Sequence, residues 1–107
     1  MQVPSPAPEH AEITLVESEA CHFCADASDV LAGLAARFPL HVRSVDVRSG
    51  TGRELMTRHR ATMSPLVLLD GAFFSNGRLP RRKLERELVA RYGEPDAIET
   101  GSGRRRG

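Results

Sequence analysis

Two cysteines, Cys21 and Cys24, lie where the apolar pattern of the chain changes from that of a strand to that of a helix. Before them, residues 13–16 form a short apolar run, which predicts a first strand. From residue 24 to residue 38 the apolar positions recur at steps of three and four, which predicts a helix that ends at Pro39. A dithiol at a strand-to-helix junction requires a fold that contains a β-α unit.

The next part of the chain predicts a second strand and a short second helix. Residues 40–47 are rich in β-branched side chains and predict the strand. Residues 49–52 predict a loop, and Thr51 with Glu54 is typical of a capping box that opens a helix through about Arg60. The apolar side of this helix would consist of Leu55, Met56 and His59.

The C-terminal part predicts a β-hairpin and a last helix. Residues 66–69 are a continuous apolar run, which is typical of a strand buried on both faces. Asp70-Gly71 is a strong hairpin signal, and the paired strand begins at Ala72. Pro80 suits the first position of the last helix, and Gly93 suits its end.

The element order is therefore β-α-β-α-β-β-α, and it predicts one α/β domain. Two strands joined by a helix are normally parallel, whereas a hairpin is antiparallel. We expect a four-stranded mixed sheet with helices on both faces, which is the layer arrangement that buries all of the apolar faces. The domain would span residues 11–93, between a disordered proline-rich lead (residues 1–10) and a disordered polar tail (residues 94–107).

Composition excludes several classes of protein. A net charge of +1 and an aromatic content of 5% do not fit a protein that binds nucleic acid through a basic field or a stacking platform. Two cysteines do not suffice for a disulfide-dense scaffold. The sequence shows no secretory signal and no long apolar run, so we predict a cytoplasmic protein that does not bind a membrane.

The position of the cysteines predicts redox chemistry. If Cys21 lies at the start of the helix, the unpaired amides and the helix dipole stabilise its thiolate, which is the species that attacks a disulfide. Cys24, three residues further along, would be buried and would resolve the mixed disulfide. His22 would tune the thiolate if it were protonated, and it would otherwise be a solvent-facing loop residue.

A metal site is the alternative use of such a pair, because two cysteines also form half of a zinc site. The other histidines are His10, His41 and His59, which are irregularly spaced, and His10 lies in the predicted lead. The sequence therefore predicts no metal site and no cofactor.

Four residues are predicted to contact substrate. Phe23 would present an apolar surface beside Cys21. Met63-Ser64-Pro65 comes directly before the buried strand, and its position alone leaves both the cis and the trans form of the proline open. A cis bond would expose the backbone of Ser64 beside the cysteines, where an extended substrate could pair with it.

These features together resemble the thioredoxin superfamily, and most of all its glutaredoxin-like branch. The resemblance rests on Cys21-His22-Phe23-Cys24 after a short strand, on Ser64-Pro65 before the buried run, and on the Asp70-Gly71 hairpin. It covers about residues 12–92. It implies that Cys21 is the nucleophile, that Cys24 resolves the mixed disulfide, and that Pro65 is cis and lies against the active site.

The chain departs from the glutaredoxin pattern where that family binds glutathione. Ser18 stands in place of a basic residue, between Glu17 and Glu19, and residues 75–78 read Ser-Asn-Gly-Arg in place of a Gly-Gly-Asp-like segment. The resemblance therefore supports the fold and the redox chemistry more strongly than it supports glutathione as the substrate.

We accordingly predict a monomeric thiol–disulfide oxidoreductase. Its substrate would be a disulfide-containing protein or a low-molecular-weight thiol, and a small thiol or a reductase would be its reducing partner. The alternative is a non-catalytic redox sensor, or a module that binds a metal ion or an iron–sulfur cluster through the two cysteines.

Overall fold

The computed structural model describes residues 9–94, and the elements follow the predicted order. Residues 1–8 of the predicted lead and residues 95–107 of the predicted tail lie outside the described residues. The elements are β1 (Ala11–Glu17), α1 (His22–Ala35), β2 (Leu40–Asp46), α2 (Gly50–Arg58), β3 (Leu66–Leu69), β4 (Ala72–Asn76) and α3 (Arg81–Tyr92).

The four strands form one mixed sheet in the order β2-β1-β3-β4. β1 pairs with β2 in parallel and with β3 in antiparallel orientation, and β3 and β4 form the predicted hairpin. All four residues of β3 are buried, as its continuous apolar run predicted. β2 is an edge strand, and Val45 is its one buried residue, so the apolar residue Val42 faces solvent instead of the core.

Helices cover both faces of the sheet, which confirms the predicted fold class. α1 and α3 pack on the face to which Ile13 and Leu15 of β1 point. α2 packs on the opposite face, to which Val16 points. Side chains alternate along a strand, so β1 supplies both hydrophobic clusters and lies at the centre of the domain. In the described part of the chain, no helix has the length and apolar character that crossing a membrane requires.

α1 begins and ends earlier than the apolar period predicted. It begins at His22 because the thiol of Cys21 caps it, although cysteine is not among the usual N-cap residues. It ends at Ala35, and Pro39, which restricts Phe38, prevents the helix from continuing further. Phe38 nevertheless reaches the core through a turn in which its backbone N–H donates to the carbonyl of Leu34 over 2.8 Å.

The predicted capping box at Thr51 is wrong, because Ser49 caps α2. The Ser49 hydroxyl accepts from the backbone N–H of Gly52 over 2.9 Å, so the predicted loop forms the first turn of the helix. A Cβ atom at Gly52 would lie 2.1 Å from the carbonyl oxygen of Asp46. The absence of a side chain at Gly52 therefore lets the helix start directly after β2.

The hairpin and the last helix follow the prediction closely. Asp70 and Gly71 both have positive φ values, 51° and 86°, which matches a tight hairpin turn. Pro80 is the N-cap of α3 and not its first helical residue. The helix ends at Gly93 with a φ of 81°, a value that suits a residue without a side chain.

Candidate active site

Cys21 lies at the junction of β1 and α1, as the sequence predicted. It is the N-cap of α1, and its Sγ atom accepts a hydrogen bond from the backbone N–H of Cys24 over 3.2 Å. The chain reaches this position through Ala20, whose φ of 52° turns it from the end of β1 into the helix. The sulfur of Cys21 thus takes the place that a serine or aspartate oxygen takes in an ordinary cap.

The loop before β3 brings a second set of groups to Cys21. The Ser64–Pro65 peptide bond is cis, as the resemblance implied. Ser64 lies beside the thiol, with its carbonyl oxygen 4.0 Å and its hydroxyl oxygen 3.9 Å from the Sγ of Cys21. The Ser64 hydroxyl also lies 3.2 Å from the hydroxyl of Ser18. The backbone N–H of Cys24 and the Ser64 hydroxyl therefore lie beside one sulfur atom, and the Ser18 hydroxyl contacts that of Ser64.

These contacts separate the acidities of the two cysteines. Hydrogen bonds from the side chain and backbone of Cys24, with smaller ones from Ser64 and Ser18, lower the pKa of Cys21 below its ordinary value, against the opposing effect of partial burial. Burial raises the pKa of Cys24, and its hydrogen bond to Cys21 raises it further. Cys21 is half-buried, whereas Cys24 is only 2% exposed. The accessible thiol is therefore the more acidic one.

His22 lies in the first turn of α1 with its side chain exposed to solvent. Within residues 9–94, the groups that lower the pKa of Cys21 are Cys24, Ser64 and Ser18. The structure thus assigns that effect to hydrogen-bond donors around the sulfur. A tuning role for His22 stays a prediction.

The predicted substrate contacts divide into exposed and buried residues. Phe23 is 41% exposed and Met63 is 48% exposed, so each presents apolar surface close in the chain to a residue of the site. Ser64 is half-buried, with its backbone beside Cys21. Pro65, in contrast, is fully buried, and its carbonyl accepts from the backbone N–H of Gly77 over 3.0 Å. A contact between Pro65 and a substrate stays a prediction.

An open groove of about 590 Å³ lies beside Cys21 and Cys24. Its polar lining includes Glu17, Ser18 and His22. Glu19, next to this lining in the chain, forms an ion pair of 3.6 Å with Arg48. Where glutaredoxins have a basic residue, this chain has Ser18 between the carboxylates of Glu17 and Glu19. Of these two, Glu19 pairs with Arg48.

Within residues 9–94, no group of three convergent metal-ligating side chains includes Cys21 or Cys24. Among residues 9–94, one group of three histidine, cysteine or carboxylate side chains brings its donor atoms within 4.8 Å of one another, and it consists of His10, Glu12 and His41. Those residues lie at the opposite end of β1 from Cys21 and Cys24. The arrangement at the cysteines accordingly suits a dithiol–disulfide couple better than a four-ligand zinc site within one chain.

Comparison with solved structures yields thioredoxins and thioredoxin-like proteins. A mutant thioredoxin from Halobacterium salinarum is 16% identical over 83% of this chain and 78% of its own, with a TM-score of 0.60. An uncharacterized thioredoxin-like protein from Clostridium perfringens is 12% identical over 88% and 80%, also with a TM-score of 0.60. A thioredoxin from Thermus thermophilus is 31% identical over 78% and 76%, with a TM-score of 0.49. No protein-family model and no curated protein matches the sequence.

The chain has a thioredoxin-like fold. The identities of 16% and 12% at a TM-score of 0.60 concern the fold alone, and the glutaredoxin-like branch stays a prediction. The cysteine pair at the start of α1, with one half-buried and one buried thiol, is an arrangement that can form a dithiol–disulfide couple.

Sequence reasoning missed two features of this thioredoxin-fold protein. It noted Ser18 as a departure from glutaredoxins but did not foresee that the hydroxyls of Ser18 and Ser64 meet beside Cys21. It also placed His10 in the lead and so separated it from His41. The two-residue spacing of His10 and Glu12 was a sequence signal for this cluster. Adding His41 to it required knowledge of the register between β1 and β2.

Proposed function

We propose that this protein is a thiol–disulfide oxidoreductase with a glutaredoxin-like dithiol mechanism. The observation that carries the proposal is the asymmetry of the cysteines: the accessible thiol has the lowered pKa, and the buried thiol has the raised one. This is the division that a nucleophilic and a resolving cysteine need, because only the first must be a thiolate in the resting state.

In the first step, the thiolate of Cys21 attacks one sulfur of a substrate disulfide. A bond forms between Cys21 and that sulfur, and the other substrate sulfur leaves as a thiolate. Once deprotonated, Cys24 attacks the sulfur of Cys21 and releases the second substrate thiolate. The substrate has gained two electrons, and Cys21 and Cys24 are joined by a disulfide. A small thiol or a reductase then returns two electrons to the pair.

The surroundings of Cys21 suit a substrate that brings an extended backbone or apolar groups. Ser64 lies beside the sulfur with its carbonyl at 4.0 Å, and exposed apolar surface is offered by Phe23 and Met63. Such surface beside a nucleophile favours a protein or thiol substrate. We place the reaction in the cytoplasm, where small thiols and reductases supply electrons.

Reduction of insulin by dithiothreitol, followed by turbidity, tests the proposal. The wild-type protein should accelerate the reaction over the uncatalysed rate. Cys21→Ser should abolish the acceleration, because it removes the sulfur that attacks. Cys24→Ser should still form a mixed disulfide with a small disulfide such as bis(2-hydroxyethyl) disulfide, and mass spectrometry would detect it as an adduct on Cys21.

The double variant with both substitutions supplies the background for each assay. Serine also caps helices well, so these variants should keep the start of α1. Equal rates for the wild type and Cys21→Ser would contradict the proposal, and so would a mixed disulfide that forms faster in Cys21→Ser than in Cys24→Ser.

A further inference from the structure

Three side chains meet at the end of β1 that lies away from the cysteines. Glu12 of β1 pairs directly with His41 of the parallel strand β2, so their side chains share one face of the sheet. His10 precedes Glu12 by two residues and lies on the same side. The cluster therefore follows from the register of β1 and β2 and from the position of His10 directly before β1.

The donor atoms of the three side chains converge. One oxygen of Glu12 lies 2.7 Å from the Nε2 of His10 and 3.5 Å from the Nδ1 of His41. The two imidazole rings are stacked, with centroids 3.7 Å apart and planes inclined by 26°. This stacking brings both rings to the same carboxylate, and all three donor atoms lie within 4.8 Å of one another.

These separations are close to those that a bound transition-metal ion requires. Zinc binds imidazole nitrogen and carboxylate oxygen at about 2.0 to 2.2 Å, so two donors on one tetrahedral ion lie roughly 3 to 3.5 Å apart. The two distances to Glu12, 2.7 and 3.5 Å, bracket this range. The side chains are exposed, so they have room to rotate around an ion.

We propose that His10, Glu12 and His41 form a binding site for a divalent transition-metal ion of the zinc class. Two imidazoles and one carboxylate are a donor set that suits zinc and leaves a fourth position open. The three side chains are 37%, 56% and 64% exposed, so water can fill that position. The site is separate from the cysteine pair and independent of the redox proposal.

Neighbouring groups hold the central ligand of this site. The carboxylate of Asp70 accepts a hydrogen bond from the backbone N–H of Glu12 over 2.8 Å. Asp70 also pairs with Arg91 of α3. The strand segment that carries Glu12 is thereby fixed to the β3–β4 hairpin, and only the ligand side chains have to move when an ion binds.

The test uses the full chain with Cys21→Ser and Cys24→Ser, because the thiols would otherwise bind the same ion. Isothermal titration calorimetry with zinc chloride should show one saturable site. Glu12→Gln and His41→Gln should each weaken binding by more than about tenfold, since even the loss of a group that only supports a ligand costs that much. His59→Gln, which changes a histidine outside the cluster, serves as the matched control and should leave the affinity unchanged.

Nitrogen NMR of the imidazoles identifies the ligands independently of the variants. Zinc should shift the ring nitrogens of His10 and His41 and leave those of His22 and His59 in place. Three results would overturn the proposal: no saturable binding, an affinity that Glu12→Gln and His41→Gln do not change, or zinc-dependent shifts confined to His22 and His59.

Discussion

The two ends of β1 carry reactive side chains that the fold prepares in different ways. At its C-terminal end, the sulfur of Cys21 is half-buried and accepts a hydrogen bond from the first turn of α1. At its N-terminal end, the side chains of His10, Glu12 and His41 are exposed and meet because two strands are in register. One strand thus carries a site built by helix capping and a site built by strand pairing.

The difference shows how each kind of site obtains its chemistry. The fold changes the properties of Cys21, because donors and burial at a fixed distance shift the pKa of a thiol. At the other end the fold only brings ordinary side chains together, and a ligand has to supply the rest. The first site should therefore respond to changes in hydrogen bonding, and the second to the loss of any one side chain.

The largest expected effect concerns the contrast between the two thiols at the C-terminal end. We compare Cys21 in the Cys24→Ser variant with Cys24 in the Cys21→Ser variant, using iodoacetamide and mass spectrometry across a pH series. At neutral pH Cys21 should react roughly tenfold faster or more, because both its thiolate fraction and its exposure are greater. Each variant keeps the contributions that do not come from the other thiol: the backbone N–H of residue 24 and Ser64 lower the pKa of Cys21, and burial raises the pKa of Cys24.

Unfolding in urea provides the control for this comparison, because it removes both the hydrogen bonds and the burial. The two thiols should then react at similar rates. Equal rates in the folded variants, or faster reaction of Cys24, would remove the distinction between a nucleophilic and a resolving cysteine.

The next largest expected effect is a loss of stability at the N-terminal end of β1, where Asp70 links Glu12 to Arg91. Asp70→Asn keeps an oxygen for the Glu12 N–H and suits the positive φ of this position, so it removes mainly the charge. At pH 7 it should lower the free energy of unfolding by about 1 to 2 kcal/mol, measured in urea. Glu87→Gln removes the more exposed partner of Arg91 and should change the free energy by less than about 0.5 kcal/mol.

The pH dependence of this effect has a definite sign. Burial raises the pKa of Asp70, but the Glu12 N–H and Arg91 outweigh it, so the pKa lies below the ordinary 3.8. A lowered carboxyl pKa stabilises the folded state fully above 3.8, and the contribution disappears as the pH falls through the folded-state value. The difference between wild type and Asp70→Asn should therefore shrink below pH 3.8. A difference that stays constant down to that range would show that charge is not its origin.

Much of the fold was predictable because each element carries a strong local signal. The buried run at 66–69 and the hairpin at Asp70-Gly71 appear where the sequence placed them. The first residues of the helices could not be predicted exactly, because they depend on contacts between elements. Ser49 replaced Thr51 as a cap only because Gly52 can approach the backbone of Asp46.

The two candidate sites also differ in how much of each could be predicted from local sequence patterns. The position of Cys21 could be predicted because a cap is a local feature of three or four residues. Its contact with Ser64 could not be derived from spacing, because it joins positions 43 residues apart in the chain. The meeting of His10 with His41 depended on the register of a parallel pair, which no local pattern specifies.

The smallest expected effect decides which neighbour tunes Cys21. In the Cys24→Ser background, Ser64→Ala should raise the pKa of Cys21 slightly, because the hydroxyl is 3.9 Å from the sulfur and contributes less than the backbone N–H of residue 24, which this variant keeps. His22→Gln should leave that pKa unchanged, because the donors around the sulfur belong to other residues. The pH profile of alkylation measures both variants against the same parent. A larger shift for His22→Gln than for Ser64→Ala would mean that a charge at the start of α1, and not the hydrogen bonds of the cap, sets the acidity of the nucleophile.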